Sequence, residues 1–150
     1  RFPTAWLAEL GLERETVLAT VQHALARGIE TVFQLEEGEI LAEPTPSRVD
    51  RKALFFYEAV EGGAGALSRL IQEPKAFNAV AREALAIMHF KQDSFEAART
   101  AGPDALVTDP HARCVAGCYR CLLSYFNQPD HELIDRASVE AKQMLIDLAG

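Results

Sequence analysis

The sequence predicts an α+β fold: a small sheet of about three strands flanked by helices, with a cysteine knuckle toward the C-terminal end. Two periodicities and one cluster predict it. Val17, Val21, Ala24 and Leu25 recur at helical spacing. Ala53 to Val60 is a short apolar run rich in aromatics, of the kind that forms a strand buried on both faces. All three cysteines fall within the eight positions from Cys114 to Cys121. A chain of 150 residues is about one domain in length, long enough to bury a core without requiring disulfides or metal.

In chain order, Phe2 to Leu12 already carries Trp6, Leu7 and Leu10, and the chain opens at Arg1 rather than at a methionine. Residues 1–150 therefore read as a single domain belonging to a longer polypeptide. Glu15 to Arg27 is an amphipathic helix that Gly28 is expected to end. Ile29 to Leu35 shifts toward two-residue alternation, and Glu37-Gly38 separates it from Ile40-Leu41-Ala42, which predicts a hairpin closed by a Pro44-Thr45-Pro46-Ser47 loop. The aromatic strand follows, then Gly62-Gly63-Ala64-Gly65 and a helix from Ala66 to Ile71.

Strand, glycines and helix in that order suggest a phosphate-binding turn. No Lys-Ser/Thr follows the glycines, however, and Ser68 stands where the last glycine of G-x-G-x-x-G would fall. A tight turn needing positive φ explains the same residues. Beyond Pro74, Ala76 to His89 is predicted helical, with Phe77, Val80, Ala81, Ala84, Ile87 and Met88 on one core-facing stripe. A short helix around Phe95 to Arg99, a loop through Gly102-Pro103 and Asp109-Pro110, a helical start from Cys118, and a last helix from about Ile134 to Leu148 complete the prediction.

Composition narrows the function. Acidic side chains outnumber basic ones, 22 to 15, for a formal net charge of −7. That balance argues against a free-standing duplex binder, which needs cationic contacts to release counterions. No apolar run reaches the roughly 18 residues that cross a bilayer, and no signal peptide is evident, so a cytoplasmic, reducing location without membrane partners is expected.

The cysteines carry the strongest chemical signal. Cys114, Cys118 and Cys121 are spaced C-x3-C-x2-C, and three thiols cannot all pair within one chain. Zn2+ takes sulfur ligands tetrahedrally, and a C-x2-C turn delivers two of them together. His111, His131, Asp109 or a partner's residue could supply the fourth. Gly117 is expected to allow a sharp turn before Cys118.

Cys118-Tyr119-Arg120-Cys121-Leu122-Leu123-Ser124-Tyr125-Phe126-Asn127-Gln128, with His131 and Ile134-Asp135-Arg136 after it, resembles the signature of the MrfA zinc-binding domain family. Tyr57-Glu58-Ala59-Val60-Glu61-Gly62-Gly63-Ala64-Gly65 is similar to that family's glycine segment, with Glu61 in place of a proline. The resemblance runs from Val21 to Arg136. It implies a zinc-binding accessory domain of DNA helicases of the mitomycin-repair type or of DISARM phage-defence proteins. Such a domain would position or stabilise a neighbouring motor, in the same or a partner chain, with DNA reached through the parent protein, and would have no catalysis of its own.

The family is described with four zinc-binding cysteines and this chain has three. His111, separated from Cys114 by Ala112 and Arg113, offers acceptable ligand spacing, so the expected metal site is Cys114, Cys118, Cys121 and His111. Two other classes remain open. One is a protein–protein interaction module with a degenerate metal site. The other is a zinc-dependent hydrolase using Glu58 or Glu61 as base, although H-E-x-x-H, H-x-E with P-C-x2-C, and Walker motifs are all missing. His23 reads as structural, His131 as an orienting hydrogen-bond partner, and Asp135-Arg136 as a clamp on the last helix. Asn127 and Gln128 read as amides that satisfy backbone groups where the chain reverses. Arg113, Arg120 and Arg136 are candidates for a basic rim facing a nucleic-acid backbone.

Overall fold

In the computed structural model, residues 1–59 and 65–150 are described. Six helices and a hairpin are seen among them: α1 Thr4–Leu10, α2 Arg14–Val32, β1 Ile40–Ser47, β2 Asp50–Glu58, α3 Ala66–Gln72, α4 Ala76–Ile87, α5 Phe95–Ala101 and α6 Val139–Ala149. The class is α+β, and the described sheet has two antiparallel strands rather than three.

The core is a helical layer of α2, α4 and α6 with the hairpin laid against α2. Val17, Val21 and Ala24 of α2, Val80 and Ala84 of α4, and Ala141 and Leu145 of α6 are fully buried. Apolar stripes at helical spacing force this arrangement, because each helix alone would leave its stripe in water. No helix among the described residues is long and apolar enough to cross a membrane.

The expected first strand is instead the last turn of α2. Gly28 does not end that helix, because it serves close approach: a Cβ there would lie 2.6 Å from the Val80 carbonyl oxygen, so α2 and α4 meet backbone to backbone at this point. Ile29 stays in the core, and Glu30, also buried, accepts the Gly38 and Ile40 N–H groups at 2.8 and 3.2 Å, which ties the turn after α2 to the start of β1. Burial pushes the Glu30 carboxyl above its ordinary value, and those two amide donors pull the other way.

The proline segment expected as a loop forms the end of β1. Pro44 and Pro46 lack a donor, which a two-stranded sheet tolerates because each strand has a free edge. β2 is not a central strand buried on both faces. Phe55 is 57% exposed, and Arg51 is the residue of β2 that is fully buried.

α6 begins at Val139, later than expected, because the Ser138 side chain accepts the Ala141 N–H and caps it there. Of the glycine segment, Gly62, Gly63 and Ala64 lie outside the described residues, as do Val60 and Glu61. Gly65 adopts φ +72°, and its N–H donates to Glu58 Oε1 at 3.0 Å, with the Ala66 N–H at 3.4 Å from the same oxygen. The amides that a phosphate would need at the start of α3 are therefore already held by a carboxylate.

Candidate metal centre

The site is built at the C-terminal end of α4. The buried stripe of Val80, Ala84, Leu85 and Met88 fixes that end in the core. His89 then turns to φ +72°, its N–H donating to Ala86 O at 3.0 Å while the Phe90 N–H reaches back to Leu85 O at 3.2 Å. This pair of bonds is the helix-ending motif in which glycine usually takes the left-handed position. A histidine there carries a steric cost of about 1 kcal/mol, and strain of this kind concentrates where a side chain is held for function.

His89 to Lys91 next pairs antiparallel with Val107 to Asp109. Asp109 N–H donates to His89 O and Lys91 N–H to Val107 O, both at 2.7 Å, around a Phe90–Thr108 bridge. The chain leaving this bridge leads into the cysteines, so His89 is brought beside a knuckle that lies far downstream.

The knuckle is a turn from Cys118 to Cys121 rather than the expected start of a helix. Cys121 and Leu123 N–H groups both donate to Cys118 O at 3.0 Å, and the Cys118 N–H points at Cys121 Sγ at 3.2 Å. Gly117 is needed for space: a Cβ would press on Ile134 Cγ2 at 3.2 Å.

Cys114, Cys118, Cys121 and His89 present donor atoms that all lie within 4.8 Å of one another. Cys121 Sγ is 3.7 Å from both Cys114 Sγ and Cys118 Sγ, and His89 Nε2 is 3.2 Å from Cys118 Sγ. The thiols are free, far beyond a disulfide's S–S bond of about 2.0 Å. A tetrahedron with metal–sulfur bonds of about 2.3 Å has sulfur–sulfur edges of about 3.8 Å. The residues present therefore fit a zinc ion in both donor chemistry and spacing.

The surroundings suit ligation. Burial, and after it the Arg136 charge, hold the His89 imidazole below its usual value, which favours the neutral form that binds metal. Burial, reinforced by its sulfur neighbours, pushes the Cys114 thiol up to about 12, and burial likewise raises Cys121. For Cys118 burial also acts upward, but hydrogen bonds from the Arg120 amide and the other two thiols outweigh it, and the net shift is downward. A bound divalent cation would displace the remaining protons.

Arg136 is buried. Its Nε donates to Met88 O at 2.7 Å and its Nη2 to Thr108 Oγ1 at 2.9 Å, and its guanidinium lies 4.5 Å above the Phe90 ring. Its own N–H donates to Ala116 O at 2.7 Å. The expected clamp through an Asp135–Arg136 ion pair is not found among the described residues; Arg136 instead caps the end of α4 and stacks on Phe90.

His111, expected as the fourth ligand, is not in the gathered set. Its segment is a surface turn pinned by its N–H bond to Asp109 Oδ1 at 2.9 Å, and the residue is exposed. His89 occupies that place instead. His131 Nε2 donates to Ser124 O and Asn127 Oδ1 at 2.9 and 2.8 Å, which fixes it as an orienting partner. Asn127 also accepts the Ser124 N–H and donates to Leu122 O, holding the chain reversal after the knuckle. Gln128 is exposed. His23, buried in α2, bonds Asp130 Oδ2 at 2.8 Å. Of the expected basic rim, Arg113 and Arg120 are exposed and Arg136 is not available to a ligand.

The signal that could have found His89 is its position: a histidine directly after the apolar stripe of α4, where a helix-ending glycine is the usual residue.

No curated protein and no solved structure matches the chain. The sequence model of one family, the MrfA Zn-binding domain, matches residues 21–122. That span runs from α2 through the last cysteine and contains all four gathered donors; the similarity from Ser124 to Arg136 lies beyond it. On the matched span and the Cys3His cluster within it, the chain belongs to the MrfA Zn-binding domain family.

Proposed function

We propose that this domain is a structural zinc module that positions a neighbouring helicase motor on DNA. The observation carrying the reading is the four-donor set of His89, Cys114, Cys118 and Cys121 at tetrahedral spacing. Zinc would be held by three thiolates and one imidazole and would supply a fixed cross-link between the end of α4 and the knuckle. Four protein donors leave no open position for water, which favours a structural over a hydrolytic role.

Around that cross-link this chain's own residues make the lobe rigid. Arg136 caps the end of α4, the 89–91 and 107–109 segments pair, and Asn127 with His131 holds the chain beyond the knuckle. A rigid lobe of this kind suits an accessory domain that transmits geometry.

The test is nucleotide hydrolysis and strand separation by the helicase that carries the domain, wild type against Cys121→Ser. Strand separation is expected to fall at least tenfold while DNA-independent nucleotide hydrolysis persists. Unchanged strand separation, or nucleotide hydrolysis by the isolated domain, would contradict the reading.

A further inference from the structure

Beside the metal centre lies a surface cavity of about 610 Å³, walled in part by His89, Asp109, His111, Arg113, Tyr119 and Arg120. Its two arginines differ from most of the others. In this acidic chain, seven arginines lie 2.6–3.5 Å from a carboxylate oxygen. Among the described residues Arg113 and Arg120 form no ion pair and no side-chain hydrogen bond. Asp109, the acid in the same wall, already accepts the His111 N–H with Oδ1.

Tyr119 lines the same cavity and is 64% exposed. Its ring is braced edge-on against His131, at 5.7 Å between centroids and 78° between planes. His131 is itself fixed by Ser124 O and Asn127 Oδ1. A preset aromatic face costs little entropy when a planar ligand stacks on it.

We infer that this cavity binds single-stranded nucleic acid, with Arg113 and Arg120 taking adjacent phosphodiesters and Tyr119 stacking one base. Two guanidinium groups and one open ring are the elements of a strand-tracking groove. A duplex would need a wider cationic footprint, which a net charge of −7 does not provide. The inference rests on the reading of the domain as a module working on DNA, and it adds direct strand contact to that reading.

The test is fluorescence anisotropy with a labelled twelve-nucleotide oligothymidylate, alongside a hairpin duplex of equal length and inorganic phosphate as competitor. Two phosphate contacts predict a slope of log affinity against log salt of about −1.4. Arg113→Ala/Arg120→Ala is expected to flatten that slope and weaken binding at least tenfold. Tyr119→Ala is expected to weaken it about 5- to 150-fold, and Tyr119→Phe to restore it. Zinc content is measured on every variant, so that loss of the lobe is told apart from loss of the contact.

No binding of the single strand, equal affinity for the duplex, full competition by inorganic phosphate, or a double variant that binds like the wild type would each overturn the inference. A variant that loses strand binding but leaves motor coupling intact would sustain the inference without bearing against the positioning role, which Cys121→Ser tests separately.

Discussion

Arg51 and Asp130, 79 residues apart in sequence, meet in the interior, with Arg51 Nη2 donating to Asp130 Oδ1 at 3.1 Å. Arg51 is fully buried and also donates to Glu15 Oε2 and Arg48 O, both at 2.7 Å. Asp130 further receives Arg48 Nη2 at 2.6 Å and pairs with His23. The hairpin, α2 and the segment after the knuckle thus share one buried polar network, which sets where the metal lobe sits on the helical core.

Removing one member of this network leaves the others charged and desolvated. Asp130→Asn is expected to destabilise the fold by about 3 kcal/mol at neutral pH, read from denaturant midpoints. Burial acts upward on the Asp130 carboxyl, but hydrogen bonds from His23 and Arg48 and the nearby charges outweigh it, and its folded value lies well below the ordinary 3.8. As pH falls below 3.8 the unfolded chain takes up a proton that the folded chain still refuses, so acid favours unfolding. The gap between wild type and Asp130→Asn should therefore be complete above that pH and close on further acidification. A gap independent of pH would contradict the assignment.

Gly28→Ala reverses an ordinary rule. In a free helix the change stabilises by about 1 kcal/mol. Here the new Cβ would stand 2.6 Å from the Val80 carbonyl oxygen, and α2 must move off α4. A loss of about 2 kcal/mol is expected, and a rise in melting temperature would show that the helices are less closely set.

His89→Gly separates strain from ligation. Glycine relieves the left-handed position at the end of α4. With chelator present the variant should melt at or slightly above the wild-type temperature, and with saturating zinc it should melt below it. The same order of stability in both conditions would remove His89 from the metal site.

Arg136→Lys keeps the charge but loses the two-pronged reach to Met88 O and Thr108 Oγ1. Zinc affinity measured by chelator competition is expected to fall about 10- to 100-fold. An unchanged affinity would make Arg136 a packing residue alone.

Much of the fold is legible in the chain because local rules and tertiary packing agree there. Ala66 to Gln72 and the stripe of Ala76 to Ile87 carry helical spacing bounded by Gly65 and Pro74, and both helices are found. The sheet misled for two physical reasons. Gly28 resembles a stop signal while serving contact with Val80, so Ile29 to Val32 continues α2. Pro44 and Pro46 resemble a loop while forming part of a strand with a free edge.

The site divides in the same way. Cys114, Cys118 and Cys121 fall within eight consecutive residues, so their spacing exposes them. His89 reaches them through the pairing of residues 89–91 with 107–109, a long-range contact with no local signature. His111 had the better sequence spacing, but its turn is held at the surface by Asp109.

Zinc stoichiometry tests the identity of the four ligands most directly. Metal content is measured by inductively coupled plasma mass spectrometry on the wild type, His89→Ala and His111→Ala, each purified without tag or chelator. About one zinc per chain is expected in the wild type and in His111→Ala, with zinc lost or much more weakly held in His89→Ala. Full zinc in His89→Ala together with loss in His111→Ala would contradict the account.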